Sequence, residues 1–136
     1  AEPVRPVVAP ASTWRGTGSV LVVDDDETVR GVASRLLVAF GFDAVLATSG
    51  REAIASFREN PEKFRAVLLD LTMPEMDGAE TFAELRRLNP KVKVILMSGF
   101  TEQDAVGRFH SHDLAGFVSK PFTQEELRER FQAIFP

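Results

Sequence analysis

Ala66-Val67-Leu68-Leu69-Asp70-Leu71-Thr72-Met73-Pro74-Glu75-Met76-Asp77-Gly78 is the stretch on which the fold turns. An apolar run rich in strand formers leads into a carboxylate, and a proline and an Asp-Gly pair follow closely. The pattern predicts a buried strand that ends by presenting Asp70 at a loop. Taken singly, an aspartate in such a place reads as a turn cap, because its carboxylate bonds readily to nearby backbone amides. What surrounds it decides between cap and chemistry.

Upstream, Val20-Leu21-Val22-Val23 is another short, continuously apolar run, and it ends in Asp24-Asp25-Asp26. Runs of this kind typify strands buried on both faces of a parallel sheet. Further strands are expected over Asp43 to Ala47, Val92 to Met97 and Gly116 to Val118. Between them, helical spacing of apolar residues predicts Glu27 to Phe40, with Val29, Val32, Ala33, Leu36, Leu37 and Phe40 on one face and Gly41 as the stop. It also predicts Ser49 to Glu59 with Ala53, Ile54 and Phe57 inward, and Gly78 to Leu88 with Phe82 and Leu85 inward. A weaker helix is expected near Glu102 to His110, where Gly107 costs about 1 kcal/mol relative to alanine. The last helix, Thr123 to Ile134, carries a Thr123/Glu126 capping pair and turns Leu127, Phe131 and Ile134 inward. Five strands alternating with five helices imply right-handed crossovers and a parallel sheet covered on both faces.

At 136 residues the chain has the length of a single domain with a true core, and its 44% hydrophobic and 26% charged residues are those of a globular protein. A net charge of -4 argues against bulk attraction to nucleic acid or to an anionic membrane. The absence of cysteine removes disulfides, thiolate metal sites and thiol nucleophiles. No apolar run approaches the roughly 20 residues of a membrane span, and no signal pattern opens the chain, so a cytoplasmic location is expected. The first residue is Ala rather than Met, which reads as an excerpt or a processed product. Residues 1–18, with Pro3, Pro6, Pro10, Gly16 and Gly18, read as a flexible linker or arm, and residues 19–136 as the domain.

In a parallel sheet of this kind, functional groups gather at the carboxyl ends of the strands. Those ends supply Asp24 and Asp25, then Asp70, then Ser98, and finally Lys120; the second strand offers only Thr48 and Ser49, as an edge strand would. Three carboxylates in one pocket repel one another and require cations or shifted pKa values. Hard oxygen ligands suit Mg²⁺ or the similar Mn²⁺. Carboxylates, a divalent cation, a lysine and a hydroxyl together suit phosphoryl transfer, in which a carboxylate can act as nucleophile and yield an aspartyl phosphate.

Asp24-Asp25 after its strand, Asp70-Leu-Thr-Met-Pro-Glu-Met-Asp-Gly, Met97-Ser-Gly and Lys120-Pro-Phe occur in that order from Ser19 to Phe135. In this the chain resembles the receiver domain of two-component response regulators. The resemblance implies an α/β, flavodoxin-like (βα)5 doubly wound fold with five parallel strands in the order 2-1-3-4-5. It implies that Asp70 is the phosphoacceptor, that Asp25 ligates Mg²⁺ directly and Asp24 through water, and that the Thr72 backbone carbonyl completes the protein ligands. Lys120 would pair with Asp70 or the phosphate, the Ser98 hydroxyl would turn to the phosphate, and Phe117 would stand at the aromatic switch position. Phe117 lacks the hydroxyl that many relatives carry there, so switching would rest on burial of its ring. A cis Lys120-Pro121 bond is implied as well. The implied partner is a histidine kinase or a histidine phosphotransfer domain, with a second copy of the chain as a further candidate and no direct contact with nucleic acid or membrane. The Trp14 to Ser19 arm and Met97-Ser-Gly-Phe resemble the C-terminal receivers of hybrid sensor histidine kinases.

Other readings remain open at this level. Asp24-Asp25-Asp26-Glu27-Thr28 also fits the D-x-D-x-T motif of haloacid-dehalogenase-like phosphatases, with Asp24 as nucleophile and Asp26 as acid/base, although no second acidic motif follows the lysine. A phosphorylation-independent pseudo-receiver that only binds partners is the other alternative. Asp26 by itself reads as a helix-start residue, Asp77-Gly78 as loop geometry permitting positive φ, and His110 and His112 as solvated, lacking the i, i+4 spacing of a zinc site. Thr72 and Phe100 occupy positions that tune phosphate lifetime in relatives.

Overall fold

The computed structural model describes residues 14–71, 78–99 and 114–136. Its strands are β1 (Ser19–Val23), β2 (Asp43–Ala47), β3 (Phe64–Asp70), β4 (Val94–Ser98) and β5 (Gly116–Ser119). All pair in parallel, in the order β2-β1-β3-β4-β5, which is the flavodoxin-like arrangement expected. The helices among the described residues are α1 (Glu27–Phe40), α2 (Gly50–Glu59), α3 (Gly78–Leu88) and α4 (Gln124–Ile134). Residues 1–13, Thr72, Met73, Pro74, Asp77, Phe100, the helix expected near 102–110, His110 and His112 lie outside the described residues.

Side chains alternate across each strand, so the apolar runs supply two cores at once. Leu21, Val23, Val67, Leu69 and Leu96 face one side and pack with Phe57, Phe82 and Leu85 of α2 and α3. Val20, Val22, Leu68, Ile95 and Met97 face the other and pack with Leu37, Phe40, Leu127 and Phe131 of α1 and α4. Each such fully buried side chain contributes about 1.5–3 kcal/mol relative to exposure. The helices begin where capping side chains permit: Asp26 accepts from the Thr28 N–H, Ser49 from Glu52 and Thr123 from Glu126, the last as a reciprocal capping box. α1 ends at Gly41, whose φ of 111° is the left-handed conformation that favours glycine. β4 starts two residues later than the apolar run, because Val92 belongs to a turn, its N–H bonding Asn89 O at 3.0 Å, and is buried there.

The sequence reads residues 1–18 as one arm, yet Trp14 to Gly18 lie against the domain. The Trp14 indole donates to the Phe135 carbonyl at 2.7 Å. Gly16 N–H bonds Phe40 O at 2.7 Å, and the Asp43 N–H bonds Gly18 O at 2.8 Å. Gly16 is buried, and a Cβ there would overlap the Phe42 ring, so this glycine serves close packing rather than looseness. A local pattern of Pro and Gly carries no information about such a partner, which lies across the fold.

Candidate functional site

Four strands bring their carboxyl ends together at the middle of the sheet. Asp24 follows β1 directly and is fully buried; Asp25, one residue on, is exposed. Asp24 is held on every side: its N–H bonds Ala47 O at 3.2 Å, its carbonyl accepts from Arg30 Nη1 at 2.8 Å, and its Oδ1 accepts from the Asp26 N–H at 2.9 Å. Its Oδ2 lies 3.0 Å from Lys120 Nζ. Asp70 closes β3, is 3% exposed, and places Oδ1 3.1 Å from the same ammonium. Carboxylate oxygens of Asp24, Asp25 and Asp70 lie within 4.8 Å of one another.

Lys120 is positioned by its backbone as well as by its charge. Its N–H bonds the carbonyl of Ser98, the last residue of β4, at 2.7 Å, and Ser98 is itself buried. The Lys120-Pro121 bond is cis. Burial, the largest single influence, disfavours the Lys120 ammonium, but hydrogen bonds and charge from Asp24 and Asp70 together outweigh it and hold its pKa above the ordinary 10.5. Three carboxylates against one ammonium leave two negative charges in a confined space. The donors are hard oxygens, and no cysteine exists to offer a soft one, so the set fits a magnesium-like cation.

Phe117, on β5, is buried against the α2/α3 core, and its carbonyl accepts from Arg130 Nε of α4 at 2.7 Å. The resemblance also assigns Thr72 a ligand role; that residue lies outside the described residues. Asp26 is the N-cap of α1. It is occupied in holding the Thr28 N–H at 2.8 Å, which leaves the dehalogenase-like reading without its acid/base. Thr48 and Ser49 likewise do local work, bonding the Glu52 carboxylate and capping α2.

Sequence reasoning missed two residues and read a third differently. Arg30 braces Asp24 from the first turn of α1, Arg130 grips β5, and Gly78 fits where nothing larger can. A Cβ on Gly78 would come 2.7 Å from the Asp70 carbonyl oxygen and the Leu71 Cα, while its N–H bonds Leu71 O at 2.8 Å. The sequence reads Gly78 as part of a loop; it opens α3, and what it supplies there is room for the helix to press on the strand bearing Asp70. A glycine at that spacing was the available signal. Arg30 and Arg130 had none, being indistinguishable in sequence from other surface arginines.

Beside the cluster lies a hollow of about 490 Å³, lined by Asp26, Thr28, Val29, Val32, Lys120, Pro121 and Phe122. It joins an apolar floor to a charged rim next to the carboxylate cluster.

Comparison with known proteins agrees with this geometry. The sensor kinase CckA of Brucella abortus is 34% identical over 120 residues, covering 88% of this chain, which spans only 13% of that kinase's length. The crystal structure of the receiver domain of the hybrid histidine kinase CckA has 30% identity and a TM-score of 0.71, covering 85% of this chain and 96% of its own. The response regulator TrrA of Thermotoga maritima, solved in complex with Mg²⁺ and a beryllium fluoride, has 28% identity and a TM-score of 0.75 over 85% of this chain and 96% of its own. The family described as the response regulator receiver domain matches residues 20–132. With the acidic cluster, Lys120 and the 2-1-3-4-5 sheet in place, the chain belongs to the response regulator receiver domain family of two-component signalling.

Proposed function

We propose that Asp70 accepts a phosphoryl group from a phosphohistidine donor, a histidine kinase or phosphotransfer domain, in the cytoplasm. The observation that carries this reading is the buried Asp70 carboxylate sharing one lysine with Asp24, inside a cluster two charges short of neutrality. Asp24, Asp25 and Asp70, with the Thr72 carbonyl, would hold Mg²⁺ or Mn²⁺, as TrrA's complex supports. When bound, the cation supplies positive charge for the phosphoryl oxygens. Asp70 contributes the attacking oxygen: its bond to phosphorus forms as the phosphorus–nitrogen bond breaks, and the leaving imidazole takes up a proton from water. Lys120, held by Ser98 O, neutralises charge on the transferred group, and the Ser98 hydroxyl donates to it. The donor's helix rests its apolar side in the hollow over Val29, Val32, Pro121 and Phe122. The phosphate then favours one of two pre-existing conformations, with Phe117 ring burial as one distinguishing feature. We take the module to begin at Trp14 and to be the receiver of a hybrid kinase, which the likeness to CckA supports.

Acetyl phosphate with Mg²⁺, read by intact mass and peptide mapping, tests the reading. One phosphoryl group should appear on Asp70, be lost with a chelator, and be absent in Asp70→Asn. Labelling that persists in Asp70→Asn and disappears in Asp24→Asn would overturn it, as would no labelling with or without cation.

A further inference from the structure

At the amino end of the sheet, opposite the acidic cluster, aromatic residues form a cradle around the only tryptophan of the chain. Trp14 packs on Phe40 and Phe42 with ring centroids 6.3 and 6.1 Å away. Phe42 in turn packs on Phe131 at 5.2 Å and on Phe135 at 6.2 Å. Arg65 lies over the Phe135 ring, 4.4 Å from its centroid, and its Nη1 bonds the Thr17 carbonyl at 3.1 Å. Phe135 is the C-cap of α4, and a helix end leaves carbonyls without intrahelical partners. The Trp14 indole satisfies that of Phe135. The segment entering the domain is thus bonded to the end of its last helix.

The same helix is bonded to the strand that leads to the site. Lys120, in contact with both Asp24 and Asp70, is the residue immediately after β5. Three residues before it, the Phe117 carbonyl is held by Arg130 of α4. A strand is stiff along its length, so a change of partner at Lys120 displaces β5 as a unit. Phe117 lacks a side-chain hydroxyl, yet its backbone carbonyl is engaged, which gives this chain a route that does not need one.

Resting on the reading of Asp70 as phosphoacceptor, we propose that the aromatic cradle is an output surface read by the entering segment Trp14 to Gly18 of this same chain. Phosphorylation moves Lys120 and β5, Arg130 passes the movement to α4, and the Trp14–Phe135 contact delivers it to the segment Trp14 to Gly18.

Trp14 is its own reporter. The whole chain is titrated with beryllofluoride and Mg²⁺ while fluorine NMR follows occupancy of Asp70 and tryptophan emission follows the cradle. Emission should change in step with occupancy and stay constant in Asp70→Asn. Arg130→Ala should keep occupancy and lose the emission change, with partial recovery in Arg130→Lys. Because coupling is reciprocal, Trp14→Phe should shift beryllofluoride affinity by about 5-fold or more. Full occupancy with unchanged emission in the native chain overturns the proposal, as does an undiminished change in folded Arg130→Ala. Absence of any occupancy overturns instead the functional reading, and the proposal with it.

Discussion

The two ends of the sheet are built on opposite terms. At the carboxyl end, three carboxylates crowd together, two of them on one lysine, at a cost in repulsion. At the amino end, Trp14, Phe40, Phe42, Phe131 and Phe135 interlock, and a buried glycine lets the Phe42 ring close in where a Cβ would overlap it. The difference suggests a division of labour: substitutions at the amino end should chiefly cost folding, those at the carboxyl end should chiefly cost chemistry, and only the coupling carried through Arg130 should cross between them. The Arg130 contact with Phe117 is where these two economies meet.

Phe131→Ala is the strongest way to break the contrast. Phe131 is fully buried beneath Phe42, and its removal should destabilise by about 3–5 kcal/mol in denaturant unfolding, with any remaining folded protein still phosphorylated on Asp70. If Asp70 labelling were lost in that folded fraction, the separation of ends would fail.

Lys120→Ala tests the opposite end. It leaves the fully buried Asp24 without its ammonium, which should cost about 1–3 kcal/mol in cation-free buffer. Added Mg²⁺ should return much of that loss without restoring phosphorylation. The pH dependence has a definite sign. Because folding raises the Lys120 pKa, its contribution is full below the unfolded lysine value of about 10.4 and is lost as pH rises through the folded value above it. Comparing native and Lys120→Ala unfolding from pH 7 upward should show the gap closing only in that alkaline range.

Asp25→Asn should have the smallest effect on the fold, within about 0.5 kcal/mol of native without cation, since Asp25 is exposed. Native protein should gain about 2.7 kcal/mol at a cation concentration 100-fold above its dissociation constant, and Asp25→Asn should lose most of that gain at the same concentration. A thermal or denaturant melt with and without Mg²⁺ decides this.

Much of this was legible before any geometry. Once the alternation of elements indicated a parallel sheet, Asp24, Asp25, Asp70 and Lys120 were expected at one end of it, because such a sheet points all its carboxyl ends one way. The caps at Asp26, Ser49 and Thr123 were equally readable, being local. What escaped was long-range or depended on shape. Trp14 and Phe135 are 121 positions apart, and no periodicity links them. The sequence Asp24-Asp25 does not say which carboxylate is buried and which is exposed; that follows from the turn after β1 and the reach of Lys120. Gly78 announced a turn, whereas its requirement is contact between a helix start and the end of β3.

The Trp14–Phe135 hydrogen bond also fixes a matter of architecture. Trp14 and Phe135 adjoin, 2.7 Å apart at the contact, with the carboxylate cluster at the far end of the sheet. A unit whose two ends adjoin can be spliced between segments of a longer polypeptide, or joined end to end and opened at a turn such as the one over residues 61–63, without pulling its strands apart. The adjoining Trp14 and Phe135 and the carboxylate cluster thus occupy opposite ends of the sheet, so a group approaching one leaves the other clear.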